Sequence, residues 1–342
     1  MRVLTDNDVR GAPAAVVVDA AREALIQAGR GELTGPPRAR IELGDVDYVY
    51  TAGALADGTS GFRVYRAGHP AGDQLVAVWA ADGHLVGLVV GEELGVRRTG
   101  ALGAVAADVL ARPDATTVAV VGSGGQAWSQ LWALTVVRDI TQVRVFSPNT
   151  SHRQVFAARA RAELHLAASA VDDAASAVRE ADIIILATRS STPVISAADV
   201  ADGTHLTTVG PKFRSGHETP AELVAAAAIV TCDSPQQAAA YPEPFFTGSA
   251  PLVSLSDVLL GDPWAPTSLR YHRALLGRAC RFRSPPGPQP PPQWQEGSNG
   301  EGAVNIRGRP GSMQQGARRN RRGKPAGGSA YGRGWSRKRH HC

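Results

Sequence analysis

Six consecutive residues, Gly122, Ser123, Gly124, Gly125, Gln126 and Ala127, fit the pattern G-x-G-x-x-A. Such a loop suits one chemistry. The first glycine permits a tight turn, the second lets backbone N–H groups approach a pyrophosphate, and the small last residue lets a helix pack on its strand. The helix N-terminus then faces the phosphates. The motif alone is common, but here it follows the β-branched run TTVAVVG (116–122) and opens a segment with Ala127, Leu131, Leu134 and Val137 near helical spacing. That setting specifies a dinucleotide site over a bare strand-to-helix turn. The choice between cofactors is read after the next strand, VRVFS (143–147), where an Asp or Glu would bond the ribose 2′-hydroxyl of NAD. The chain has Ser147, Pro148, Asn149, Thr150, Ser151, His152 and Arg153, with no acid before Asp172. Ser147, Asn149 and Arg153 suit a 2′-phosphate, so NADP(H) is the expected cofactor and NAD(H) an acceptable one. The competing reading makes Arg153 a solvated residue in the first turn of a helix.

These residues need elements to hold them. From about 115 to 262, β-branched strand patterns such as ADIIILAT (181–188), THLTTVG (204–210) and AAIVTC (227–232) alternate with helical stretches at 126–138 and 151–165. Alternation of this kind predicts an α/β fold with a Rossmann-type, doubly wound parallel sheet over 113–262. Residues 1–112 differ: a helix at about 6–28 leads into ARIELG, DYVYTAG, GFRVYRAG, QLVAVWA and HLVGLVV. Asp-Gly turns at 57–58 and 82–83 lie between them, predicting a mostly antiparallel α+β domain. A helix at about 91–111 joins the two domains. Residues 263–280 form a residual segment. Residues 281–342 carry 13 Lys/Arg against 2 Asp/Glu, with 8 Pro and 12 Gly. That composition cannot offset its chain entropy by burial, so a disordered basic C-terminal tail is expected.

The net charge of +5 therefore averages an acidic body and a basic tail. The overall basicity is therefore no argument for nucleic-acid binding by the body; the stretches that would suit nucleic acid are ARRNRRGK (317–324) and SRKRHH (336–341) in the tail. No apolar run reaches about 18 residues, which excludes a membrane-spanning helix. MRVLTDNDVR lacks a signal-peptide core, and the three cysteines have no metal-ligand spacing. A cytoplasmic location and no metal are expected.

RTGA (98–101), ARPDA (111–115) and VAVVGSGGQAWSQLWAL (118–134), in that order and spacing, resemble the ornithine cyclodeaminase/mu-crystallin family. PPR (36–38), GFRVYRAGHP (61–70), ADG (81–83), ATRSSTPV (187–194), GTHLTTVG (203–210) and VSLSDVLLG (253–261) extend the resemblance over roughly residues 1–262. It implies a substrate-binding and dimerisation domain followed by a Rossmann domain, a homodimer, and NAD(P)-linked chemistry on amino acids or their cyclic imines. It also implies that Thr99 and Thr188 join the cofactor side. The family grips the substrate carboxylate with three cations, which correspond here to Arg38, to Arg63 at a position usually held by Lys, and to Arg98. A guanidinium can clamp a carboxylate bidentately. The alternative for Arg38 and Arg63 is a solvent-facing strand arginine.

Two departures narrow the reaction. Where cyclodeaminases of the family place an Asp after the strand ending in Val-Gly, this chain has Lys212, and DYVYTAG (47–53) lacks the expected Glu. Both absences argue against ornithine cyclisation and leave hydride transfer at the carbon bearing nitrogen, as in a ketimine reductase or amino-acid dehydrogenase. Candidate acid/base groups are Lys212, His217, Glu218 and His69, each with a loop or surface role as its alternative. After Gly261 the family's long return helix is replaced by SLRYHRALLGRACRFRSPPG (268–287) and the tail. The alternatives to an oxidoreductase are ornithine cyclodeaminase itself and a non-catalytic NADP(H)-binding protein like mu-crystallin.

Overall fold

Short β-branched runs become strands buried on both faces only if helices cover them, and this arrangement organises the second half of the chain. A computed structural model describes residues 1–67, 73–241, 243–246, 252–261 and 274–277. The basic tail, most of the 263–280 segment and the candidate His69 lie outside the described residues.

The N-terminal part begins with β1 (Arg2–Leu4), α1 (Asp6–Arg10) and α2 (Ala14–Gly29). The single helix expected over 6–28 is thus two helices. Pro13 has no N–H to donate and sits in extended backbone (φ −61°, ψ 142°) as the cap of α2, so the helical ladder cannot run through it. Then come β2 (Leu33–Thr34), β3 (Ala39–Leu43), β4 (Val46–Leu55), β5 (Ser60–Ala67), β6 (Gln74–Trp79) and β7 (Leu85–Val90). They form a sheet in the order β1-β7-β6-β5-β4-β2, with β3 also on β4, antiparallel except for β1 against β7. Gly58 and Gly83 of the two Asp-Gly turns have φ of 87° and 83°, the left-handed region those turns require.

The register separates the two faces of this sheet. Arg40 pairs with Val49, Val49 with Tyr65, and Thr51 with Arg63, which places these side chains on one face. Val49 and Tyr65 there are buried. Ala39 pairs with Tyr50 and Ile41 with Tyr48, on the opposite face, where Ile41, Leu43 and Tyr50 are exposed.

The long helix α3 (Glu93–Leu110) leads into β8 (Thr117–Val121), α4 (Gly125–Leu134), β9 (Gln142–Phe146), α5 (Thr150–Leu164), β10 (Ala168–Ala170), α6 (Ala174–Val178), β11 (Ile183–Leu186) and β12 (His205–Thr208). A two-stranded ribbon of β13 (Lys212–Phe213) and β14 (Gly216–His217) follows. The described chain ends with α7 (Ala221–Ala226), β15 (Ile229–Cys232), α8 (Pro235–Ala239), β16 (Leu252–Ser254), α9 (Leu255–Leu260) and β17 (Ala274–Gly277). The large sheet has the order β10-β9-β8-β11-β12-β17-β15-β16, and every pairing is parallel. The α/β, doubly wound expectation is met. The segment expected to be residual supplies β17, between β12 and β15.

Chain order reverses between β8 and β11, so the crevice beyond their C-terminal ends is where such sheets bind ligands. Asp182 aligns the other ends of these two strands. Its Oδ2 accepts from the N–H groups of Thr116 and Thr117, each at 2.9 Å, and Oδ1 meets the Arg112 guanidinium. Burial pushes this carboxyl up, but those hydrogen bonds and the Arg112 charge hold it below its ordinary range. On α3, Gly100 and Gly103 leave no room for a side chain: a Cβ would overlap the Ser129 carbonyl oxygen or the Gln130 amide, both on α4. Arg138 secures the far end of α3, donating to the carbonyls of Ala107 and Asp108 at 3.0 and 2.8 Å and pairing with the Asp108 carboxylate at 2.8 Å. A cation at a helix C-terminus is favourable against the helix dipole.

Candidate active site at the switch point

The glycine loop lies at this crevice. Gly122 follows β8 with φ of 121°, and a Cβ there would overlap the carbonyl oxygen of Ala187, just beyond β11. Gly124 caps α4 in extended backbone, and a Cβ on it would meet nothing within 4 Å. Gly125 is nearly as open, with Val96 Cγ1 at 4.0 Å, while Ala127 is fully buried against the core. Gly124 and Gly125 are both exposed, so the N-terminus of α4 has open space around it. Gln126 Oε1 is buried and has no hydrogen-bond partner among the described residues. An uncovered helix N-terminus beside an orphaned acceptor fits a bound dinucleotide.

Next to this loop, Ser123 Oγ lies 3.1 Å from Ser147 Oγ at the end of β9, coupling the two strand ends. Asn149 caps α5, accepting from the His152 N–H at 3.0 Å. Arg153 is not a solvated first-turn residue. Its side chain is 9% exposed, Nη1 donates to the Ser147 carbonyl at 3.0 Å, and Nη2 pairs with Asp172 Oδ1 at 2.6 Å.

Across the crevice, Glu218 ties together the strand ends. It is 0% exposed. Its Oε2 accepts from the N–H and Oγ1 of Thr188 (2.8 and 2.7 Å), and Oε1 accepts from Thr208 Oγ1 and the Gly210 N–H (2.5 and 2.6 Å). One carboxylate thus joins the segments after β11 and β12, and a Cβ on Gly210 would overlap it. Lys212, 5% exposed, donates from Nζ to the Gly210 carbonyl at 2.7 Å. His217 pairs with Lys212 across the ribbon, and its ring stacks on Phe245 with centroids 4.0 Å apart. Nδ1 of His217 lies 3.1 Å from the Phe213 carbonyl. Lys212, His217, Glu218 and Thr188 are therefore brought together at one sheet end.

The arginines stand on the N-terminal sheet and α3. Arg63 has its guanidinium 4.7 Å from the Tyr65 ring centroid, and a Cβ on Gly95 would come 3.3 Å from its Nη2. The buried Gln74 crowds the same glycine. Arg98 follows Gly95 by three residues on α3, a spacing that shares a helix face. Arg38 immediately precedes β3, and its N–H donates to Gln237 Oε1 on α8 at 2.8 Å, fastening that loop to the Rossmann part. Thr99 is buried with its hydroxyl bonded to the Gly95 carbonyl at 2.6 Å, so it braces α3 from within. Its neighbour Arg97 pairs with Glu93 at 2.7 Å and lies over Trp132, 4.0 Å from the ring centroid. Residue type does not distinguish Arg97 from Arg98; only the helix face does. Gln74, Asp172 and Gln237 were not singled out in sequence as site residues, because their partners are distant along the chain.

The model of the ornithine cyclodeaminase/mu-crystallin family matches residues 74–264. A candidate dehydrogenase of Rhizobium meliloti is 31% identical over 251 residues, covering 67% of this chain and 74% of that protein. A Δ1-pyrroline-2-carboxylate reductase of Bacillus cereus is 35% identical over 156 residues, 46% of this chain; the match spans 48%, about half, of that reductase's length. Among solved structures, Thermococcus litoralis Δ1-pyrroline-2-carboxylate reductase in complex with NADH and L-proline has a TM-score of 0.72 and 23% identity. The likeness covers 81% of this chain and 92% of that one and concerns the fold.

Proposed function

The chain belongs to the ornithine cyclodeaminase/mu-crystallin family, and from that premise we propose that it is an NAD(P)-dependent oxidoreductase of a small amino acid or its cyclic imine. The observation that carries this reading is the open glycine loop at the switch point, where Gly125 faces Val96 in the first turn of α3, beside the Gly95 that Arg63 approaches from the N-terminal sheet. Relatives named as a pyrroline-2-carboxylate reductase and a candidate dehydrogenase support it.

Residues Gly122 to Ala127 hold the pyrophosphate. Ser147, Asn149 and Arg153 receive the adenosine end, with NADP(H) preferred and NAD(H) accepted, and Thr188 and Thr99 line or brace the nicotinamide side. When bound, the cofactor supplies or accepts the hydride at the substrate carbon that bears nitrogen. Arg98, Arg38 and Arg63 clamp the adjacent carboxylate and orient the C=N group, and this positioning supplies most of the rate. Reduction of a cyclic imine also needs one proton on nitrogen. Lys212 is assigned to hold it, with His217 beside it on the ribbon. Glu218, with four donors already on its oxygens, sets the shape of the pocket rather than transferring a proton.

The same reading makes residues 1–112 the substrate and dimerisation domain and 113–262 the cofactor domain of a cytoplasmic homodimer. The exposed Ile41, Leu43 and Tyr50, on the sheet face away from Arg63, suit a subunit contact. The deciding experiment presents a panel of amino acids and cyclic imines to the full chain and follows NAD(P)H absorbance. Turnover of a cyclic imine or monoamino acid is expected. Cofactor binding without turnover of any substrate would favour the non-catalytic alternative.

A further inference from the structure

We infer that Asp172 is a specificity-determining residue of the cofactor site: its carboxylate is the counter-ion that a 2′-phosphate must displace from Arg153. This rests on the dinucleotide reading above and deepens it. Ribose recognition in a parallel sheet of this topology occurs beyond the C-terminal end of the second strand, which here is β9 ending at Phe146. Arg153 reaches back to that point from the first turn of α5, is anchored by the Ser147 carbonyl, and has the Phe146 ring 5.9 Å from its guanidinium carbon. Its position is thus set by buried contacts.

The partner differs. Asp172 lies just past β10 with its side chain 96% exposed, whereas that of Arg153 is 9% exposed. Its neighbour Asp173 is committed to α6, accepting from the Ser176 N–H and Oγ, each at 2.7 Å. Asp172 has no such second anchor among the described residues; the bond to Arg153 is the one it makes. An exposed carboxylate can rotate into water at little cost, while the guanidinium stays. A phosphate carries more charge and more acceptor oxygens than a carboxylate and is the stronger partner for that fixed fork. The wild-type chain gains only the difference between the two pairings, and Asp172 in place repels the incoming group. A cofactor without the 2′-phosphate leaves the pair intact. Asp172 therefore moderates a preference that Arg153 creates, and keeps the unphosphorylated dinucleotide usable.

The test is calorimetric titration of the full chain and of Asp172→Asn with two probes, ADP and adenosine 2′,5′-bisphosphate. Asp172→Asn removes the charge, keeps the shape, and alters an exposed side chain, so the variant should melt with the wild type. The expected result is that the bisphosphate binds about 3- to 5-fold tighter to Asp172→Asn, the upper part of the range for loss of one exposed charge pair, while ADP affinity stays within about twofold. Unchanged bisphosphate affinity, or equal gains for both probes, overturns the inference and leaves the dinucleotide reading standing. Failure of the wild type to bind either probe or NADH overturns both.

Discussion

In the proposed site, replacing Arg98 by alanine removes one guanidinium from the carboxylate clamp and leaves the glycine loop untouched. Loss of a charged hydrogen bond to a buried carboxylate costs about 2–5 kcal/mol in comparable pairs. kcat/KM should therefore fall by at least about 30-fold, with NADPH affinity by fluorescence titration unchanged; unaltered kinetics would remove Arg98 from the site. Lys212→Met should lower kcat by about 10²–10⁴, the range for a lost general acid or base, and move KM for the imine much less. Glu218→Gln serves as the contrast. Its new amide N–H group would face donors that now bond a carboxylate, so the main loss should be in stability, about 2–4 kcal/mol by urea unfolding. At this scale the sequence was legible in part. The glycine loop announced itself because its spacing is its function. The carboxylate that pairs with Arg153 lies 19 positions away and the donors to Glu218 lie 8 to 30 positions away, and no local pattern shows that one is ion-paired and the other saturated.

At the scale of elements, the close approach of α3 and α4 depends on two glycines. Gly100→Ala places a methyl group into the Ser129 carbonyl, and backbone cannot yield as a side chain can. A destabilisation of about 1–3 kcal/mol is expected for such overpacking, read as a lowered Tm. On β12, His205 is fully buried; burial, and secondarily the charge of Arg138, push its imidazole down to about 3. The unfolded chain takes up that proton near the ordinary value of about 6.5. Between these limits the unfolded state binds more protons, so stability is retained above pH 6.5 and lost as pH falls toward 3. His205→Asn should flatten this part of the curve, measured as urea midpoints from pH 7.5 to 4.5; parallel curves for the two proteins would contradict it. The strands here were readable from their Val and Ile runs, since a strand covered on both faces needs no polar alternation. The break at Pro13 was visible as a residue but masked by apolar spacing on either side of it. The insertion of β17 was unreadable, because ALLG (274–277) is too short to carry a period.

For the whole molecule, the proposed placement of Lys212 in the substrate site sets it against a diamine. Lys212 and Glu218 are both held by backbone and strand-end contacts, so Glu218 is not at hand to pair with a second ammonium group. Two like charges about 4 Å apart repel by about 4 kcal/mol at an effective dielectric of 20. Incubation with L-ornithine and catalytic NAD(P) should therefore yield little proline by chromatography; many turnovers per minute would restore the cyclodeaminase reading. The Glu218 carboxylate has one more consequence, in time rather than in energy. The amide protons of Thr188 and Gly210 sit on its two oxygens, on different crossovers of the sheet. A single excursion of that side chain releases both to solvent. In deuterated water these two amides, remote in sequence, should exchange at one common rate, and their shared lifetime would clock how often the floor of the crevice opens.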